Sequence, residues 1–124
     1  MCSSDLQCGI VPSPHQEPLP EAVLVLTTVP SAEAGDQIAH ALVAERLAAC
    51  VNVLPAMTSV YRWQGVVQRD TEHQLVIKTT RGLLAALQAR LDALHPYELP
   101  ELLVVPVEGG SPAYLAWVAT TADS

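Results

Sequence analysis

The chain has 124 residues, half of them hydrophobic, and its 13 acidic side chains against 6 basic ones give a formal net charge of −7. This length suits one domain, and the acidic field repels phosphate backbones, which argues against nucleic-acid binding. The three cysteines do not indicate a disulfide framework. No apolar run reaches the length of about 18 residues that a membrane span needs. Without a secretory signal pattern, we expect a cytoplasmic protein.

The N-terminal third changes character abruptly. Residues 1–20 are rich in Ser, Pro and Gln and are predicted to be a disordered tail, followed by one domain over residues 21–124. The near-continuous apolar run Ala22–Val29 is typical of a central β-strand. Ser31 is expected to cap a helix, and the spacing of the apolar residues after it predicts that this helix covers Ala32–Ala48.

Two long β-rich segments follow. Cys50–Trp63 and Val66–Thr79 flank a turn at Gln64 and Gly65, so the pattern predicts an extended hairpin. Pro55 lacks an amide hydrogen for the ladder and marks a bulge or an edge position. Arms of this length commonly reach a partner molecule, and the surplus of apolar residues also favours an oligomer.

The C-terminal third completes a regular alternation of elements. Leucines at three- and four-residue spacing predict a second helix over Gly82–Leu94, ended by Pro96. A fourth strand is predicted over Leu102–Val107, and Ser111 followed by Pro112 starts a closing helix. The order βαββαβ plus a terminal helix predicts an α+β, ferredoxin-like domain with an antiparallel sheet.

The sequence offers little catalytic chemistry. No serine, cysteine or threonine stands in a nucleophile motif with a base and an acid, and no phosphate loop is present, so we predict no enzymatic activity. Cys50 is expected to be a buried structural cysteine. His95 followed by Glu98 and Glu101 predicts a weak, open site for a divalent cation. Alternatively, His95 caps the preceding helix beside solvated acids.

Several larger side chains are assigned to a subunit interface or cleft. Tyr61 and Trp63 on the hairpin are expected to pack between subunits or to stack on a ligand. Trp117 is expected to pack between subunits. Lys78, inside an apolar strand, needs an acid such as Glu72, an acid of a neighbouring subunit, or an anionic ligand. The full assignment is Tyr61, Trp63, Lys78, Tyr97 and Trp117.

Three stretches carry a family resemblance: AERLAACVNVLP from Ala44, SVYRWQG with EHQLVIKT over Ser59–Thr79, and HPYELPELL from His95. Together they resemble the CutA divalent-cation-tolerance family. The resemblance implies a homotrimer similar in architecture to PII signalling proteins, with tolerance to divalent cations and copper binding. It implies His95 as the copper ligand. No cofactor is expected to be required, and copper(II) or another divalent cation is the candidate ligand. The residues that match the family motifs are Tyr61, Trp63, Gly65, Lys78, Thr79, His95, Pro96, Tyr97, Pro100 and Glu101.

The chain departs from the family pattern at four positions. Thr27 stands where some relatives have cysteine, and Leu94 where some have a second histidine, which removes two potential copper ligands. Val66 and Gln68 replace a lysine and a glutamate after the hairpin glycine. The alternative function is a PII-like signalling or interaction module that binds a small ligand or a protein at the subunit clefts, without nucleic acid or membrane.

Overall fold

The computed structural model describes residues 20–123, so the predicted tail falls outside it except for Pro20. These residues form four strands and three α-helices in the predicted order. They are β1 (Ala22–Val29), α1 (Ala32–Ala44), β2 (Cys50–Trp63), β3 (Val66–Thr80), α2 (Leu84–Leu94), β4 (Leu103–Pro106) and α3 (Pro112–Thr121). The α+β prediction is confirmed. No helix among the described residues is both long and apolar enough to cross a membrane.

The four strands form one antiparallel sheet in the order β2-β3-β1-β4. The predicted bulge is present, because the β2–β3 register shifts between Val53 and Ala56, on either side of Pro55. The hairpin turn is also as predicted. Gln64 and Gly65 both have positive φ angles, of 50° and 80°, which suits the two-residue turns that match strand twist.

The core lies between one face of the sheet and helices α1 and α2. Alternate residues of β1 and β3 point to this face, while i, i+4 pairs on the helices point back. Each fully buried apolar side chain contributes about 1.5–3 kcal/mol relative to an exposed one. The residues at the centre of this cluster are Val25, Val29, Ile38, Leu42, Leu75, Ile77, Leu87 and Leu91.

Helix α1 is shorter than predicted, ending at Ala44 rather than Ala48. Arg46 takes a left-handed conformation with φ of 65°, which stops the helix. The amide groups of Leu47 and Ala48 then turn back to the carbonyl of Leu42, at 2.9 and 3.2 Å. Both residues are buried, so the apolar spacing continues past the helix end and misled the prediction.

Helix α2 and strand β4 also differ slightly from expectation. A 3₁₀ turn over Arg81–Leu83 precedes α2, so the α-helix begins at Leu84 rather than Gly82. Its end is as predicted, since Pro96 disfavours helical geometry for His95, which is extended with ψ of 134°. Strand β4 covers Leu103–Pro106, one residue less at each end than predicted.

The sheet face opposite α1 and α2 is partly open. The neighbouring side chains of Leu24 and Val105 lie on it, and Leu103 is 55% exposed. Lys78 lies on this face with its Nζ atom 5.9 Å from the centroid of the Tyr114 ring on α3. The predicted pair with Glu72 is wrong, because six residues along an extended strand separate the two by about 20 Å. Pairing with a neighbouring subunit's acid stays a prediction.

Candidate ligand cleft

An open cleft of about 770 Å³ lies between the β2–β3 arm and the segment that follows α2. We call it the acidic cleft, since its lining includes four carboxylates. Asp70 and Glu72 come from β3, and Glu98 and Glu101 from the segment after α2. Three aromatic side chains, Tyr61, Trp63 and Tyr97, also line it.

The arm is the β2–β3 hairpin, and strand alternation places its cleft-lining side chains on one face. Tyr61 and Trp63 are two residues apart on β2, and Asp70 and Glu72 are two apart on β3, so each pair projects to one side. The Tyr61 hydroxyl donates a hydrogen bond to Oδ2 of Asp70. This bond, together with desolvation and the nearby negative charge, raises the pKa of Tyr61.

The loop side of the cleft contacts the same strand through Tyr97. Its hydroxyl donates a hydrogen bond of 2.6 Å to Oε2 of Glu72. Burial and this bond raise the pKa of Tyr97 far above its ordinary value, so the phenol keeps its proton. Glu72 is only 9% exposed, which makes it a nearly buried carboxylate at the wall of the cleft.

Gln74 follows Asp70 and Glu72 on the same face of β3. Its Nε2 donates to the carbonyl oxygen of Thr27 at 2.8 Å and to Oε2 of Glu101 at 3.2 Å. One amide therefore joins β1, β3 and the segment leading to β4. This bond helps to fix the position of Glu101 at the cleft.

His95 is 8% exposed and is hydrogen-bonded to two residues of the cleft lining, Thr28 and Tyr97. Its Nε2 is 2.8 Å from the carbonyl oxygen of Thr28 and 3.2 Å from the hydroxyl of Thr27. Its Nδ1 accepts a hydrogen bond from the Tyr97 amide at 3.1 Å. These partners match a neutral ring protonated on Nε2, and desolvation lowers the pKa of His95.

The predicted metal ligands are not brought together. Both ring nitrogens of His95 are occupied, whereas a ligating imidazole needs one free lone pair. Across residues 20–123, no group of three His, Cys, Asp or Glu side chains is placed to hold a metal ion. Glu98 and Glu101 line the cleft, but His95 does not. The described conformation therefore does not place all three predicted ligands around one metal ion.

The five residues assigned to an interface or cleft separate into two groups. Tyr61, Trp63 and Tyr97 line the acidic cleft. Lys78 and Trp117 both contact Tyr114 elsewhere, with ring centroids of Trp117 and Tyr114 5.4 Å apart. Contact of the five with another subunit stays a prediction.

Sequence reasoning missed the row Asp70, Glu72 and Gln74 as a site. The signal was present as polar residues at a two-residue period that continue into an apolar strand. A solvent-exposed hairpin also has a polar face on its strands, so this pattern does not by itself distinguish a site from a solvated surface. What the sequence does not reveal is the loop carrying Tyr97 and Glu101, which covers that face.

Comparison with known proteins gives a consistent set of relatives. A family model described as CutA1 divalent ion tolerance protein matches residues 23–121. The divalent-cation tolerance protein CutA of Thermus thermophilus is 52% identical over 95 residues, covering 77% of this chain and 92% of that protein. The chloroplastic protein CutA of Arabidopsis thaliana is 46% identical over 97 residues, 78% of this chain. The chain spans about half (53%) of the plant protein's length.

Solved structures of relatives share the fold. The crystal structure of CutA1 from Oryza sativa has a TM-score of 0.82 at 42% identity, covering 85% of this chain and 96% of that one. The Thermus thermophilus protein has a TM-score of 0.81 at 48% identity, covering 82% and 99%. The relatives' names refer to cation tolerance rather than to a reaction. Because one name is chloroplastic and another, from Archaeoglobus fulgidus, periplasmic, a cytoplasmic location stays a prediction.

Proposed function

Because the chain belongs to the CutA1 divalent ion tolerance family, we propose that it serves in tolerance to divalent cations as a homotrimer of ferredoxin-like subunits. The strand order β2-β3-β1-β4, with α1 and α2 on one face, supports the ferredoxin-like assignment. The acidic charge of −7 supports attraction of cations to the assembly.

The main support for a trimer is the apolar surface that a single chain leaves exposed. Val67 near the arm's tip is 61% exposed, and Leu103 on edge strand β4 is 55% exposed. Edge strands and apolar arms of this kind are covered in stable proteins, since they otherwise promote uncontrolled association. A closed symmetric assembly covers them without leaving free edges.

Light scattering on the full chain tests the assembly. We expect a particle of three times the 13.2 kDa chain mass at micromolar concentration. A particle of one or two chains at that concentration refutes the trimer. Dilution to nanomolar concentration then measures how tightly the subunits associate.

Weak copper(II) binding at the end of α2 is the second part of the proposal. Its support is the family's association with divalent cations and the carboxylates of Glu98 and Glu101 at the cleft. His95 joins these ligands when its ring leaves the carbonyl of Thr28. That release breaks the ring's contacts with Thr28, Thr27 and the Tyr97 amide, so the affinity is expected to be low.

A calorimetric copper(II) titration tests this site in a background with Cys2 and Cys8 changed to serine. We expect the double change Glu98→Gln and Glu101→Gln to weaken binding, and Glu108→Gln, outside the cleft, to leave it unchanged. His95→Gln shows whether the imidazole contributes. Equal affinity in all three variants would place the copper elsewhere.

The cleft itself supports a second candidate, a PII-like module that binds a small ligand. Its volume of about 770 Å³ is within the range of small-molecule sites, and three aromatic side chains line it. Thermal-shift screening of the full chain tests this candidate, since a bound ligand raises the melting temperature. A ligand that stabilises wild type but not Trp63→Leu supports it.

A further inference from the structure

The acidic cleft has a strongly one-sided charge. Its fourteen lining residues include four carboxylates and no lysine, arginine or histidine. A negative, concave surface concentrates field lines and attracts cations. The ligand class with complementary charge is therefore cationic.

One of these carboxylates is both buried and without a counter-charge. Glu72 is 9% exposed, and the neutral phenol of Tyr97 donates to one of its oxygens. Among residues 20–123, no Lys, Arg or His nitrogen lies within 4.0 Å of its carboxylate. Buried carboxylates normally have such a partner. A cation bound in the cleft would supply it.

In the described conformation, the side chains of the lining do not converge on a single metal ion. Metal sites need several ligands converging on one point, and no group of three is so placed within the described residues. Instead the carboxylates are spread out. Asp70 is hydrogen-bonded to Tyr61, Glu72 to Tyr97, and Glu101 to Gln74, so each is held at its own position along the cleft.

Between the carboxylates the walls are aromatic or aliphatic. Tyr61, Trp63 and Tyr97 offer ring faces, and Met57 and Leu99 offer hydrocarbon, with Leu99 71% exposed. Ring faces attract ammonium groups, and hydrocarbon walls pack against methylene chains. The alternation of charge and apolar surface matches a molecule that alternates ammonium and methylene groups.

We infer that the acidic cleft binds a linear aliphatic polyamine, with ammonium groups at separate carboxylates and methylene chains against the aromatic side chains. Asp70 and Glu72 are two residues apart on β3, about 6.6 Å along the strand. Ammonium groups separated by three or four methylenes span a comparable distance. This inference goes beyond the proposed role in divalent-cation tolerance and does not depend on it.

The exposed apolar residue Val67 lies on the face of the arm that does not line the cleft. Val67 projects to the face opposite that of Trp63 and Asp70, because its partner on β2 is Arg62. Contacts made through Val67 therefore do not themselves occupy the cleft face of the arm. Binding can be measured on the assembled protein.

The test is calorimetric titration of spermidine into the full chain at fixed ionic strength. Three variants accompany wild type: Glu72→Gln, which keeps an acceptor for Tyr97, Trp63→Leu, and the control Glu108→Gln outside the cleft. We expect Glu72→Gln to weaken binding about tenfold and Trp63→Leu about fivefold. Glu108→Gln should stay within about twofold of wild type, as expected for an exposed charge.

Two further probes define the ligand class. Magnesium ion at matched ionic strength should not displace spermidine, and tetramethylammonium should bind at least about tenfold more weakly, because it carries one charge instead of three. Equal binding by Glu72→Gln and Glu108→Gln would overturn the proposal, as would equal affinity for tetramethylammonium. If Glu72→Gln fails to fold, Asp70→Asn replaces it with the same expected direction. Failure of this test leaves the trimer and copper measurements unaffected.

Discussion

The phenol of Tyr97 donates a 2.6 Å hydrogen bond to the nearly buried carboxylate of Glu72, across 25 residues of sequence. This contact fastens the segment after α2 onto β3. It also sets the position of a cleft wall, since both residues line the cleft. The same interaction therefore affects stability and the shape of the candidate site.

Changing Tyr97 to phenylalanine should destabilise the protein. The substitution removes the donor and leaves a buried acceptor without it, which costs about 1–3 kcal/mol. Urea unfolding of both proteins gives the difference in unfolding free energy, provided that this free energy depends on urea concentration with the same slope in both. A double change with Glu72→Gln should show coupling, because the two residues share one contact.

Tyr61→Phe provides the matched control. Tyr61 also donates to a carboxylate, that of Asp70, but its side chain is exposed. Water replaces the lost donor there, so the loss should be much smaller than for Tyr97→Phe. Equal losses in the two variants would contradict the role assigned to burial.

His95 should make stability dependent on pH. Burial lowers its pKa in the folded protein below the ordinary value of 6.5, although the Thr28 carbonyl and the charges of Asp92 and Glu72 oppose this. The unfolded chain then binds the proton more readily. Stability from this group is present above pH 6.5 and is lost as pH falls through that value toward the folded pKa.

Unfolding free energies measured between pH 8 and pH 5 check this expectation. The slope due to His95 cannot exceed about 1.4 kcal/mol per pH unit, the value for one proton. His95→Gln should flatten the curve below pH 7 and lower stability at pH 8. A wild-type curve parallel to that of His95→Gln would rule out the histidine as its source.

Local rules were sufficient for most of the fold. Strand β1, the hairpin turn and the Pro55 bulge depend on nearby residues, and each was predicted from the sequence. The end of α1 was not, because Arg46 has a left-handed conformation that glycine usually occupies. The apolar spacing through Leu47 and Ala48 continued the helical pattern although the chain had already turned.

The candidate site was less accessible to sequence reasoning. His95, Glu98 and Glu101 are close in sequence, which suggested a ligand set, but His95 turns inward to Thr28 while the two acids line the cleft. Which way a histidine points depends on the carbonyl and amide groups that tertiary folding brings near it. The Tyr97–Glu72 contact joins segments 25 residues apart, and no local periodicity encodes it.

Gly35 and Gly82 should respond oppositely to alanine. A methyl group on Gly35 would lie 3.1 Å from Cδ2 of Leu75 and 3.2 Å from side-chain atoms of Val29 and Val53. We expect Gly35→Ala to cost about 1–3 kcal/mol through overpacking. At Gly82 nothing lies within 4 Å, so alanine should stabilise by about 0.4–1 kcal/mol. Thermal unfolding compares the two, and a stabilised Gly35→Ala would show that α1 can move away from the sheet.

Val67→Lys should weaken subunit association without unfolding the chain. The side chain is 61% exposed and lies near the tip of the arm, so a charge there disturbs no packing within the subunit. In a trimer that covers Val67, the same charge would be buried without a partner, which opposes assembly. Light scattering over a dilution series should show dissociation at higher concentration than in wild type. Gln88→Lys on the exposed face of α2 adds the same charge away from the arm and should assemble normally. If both variants dissociate alike, net charge rather than the arm controls assembly.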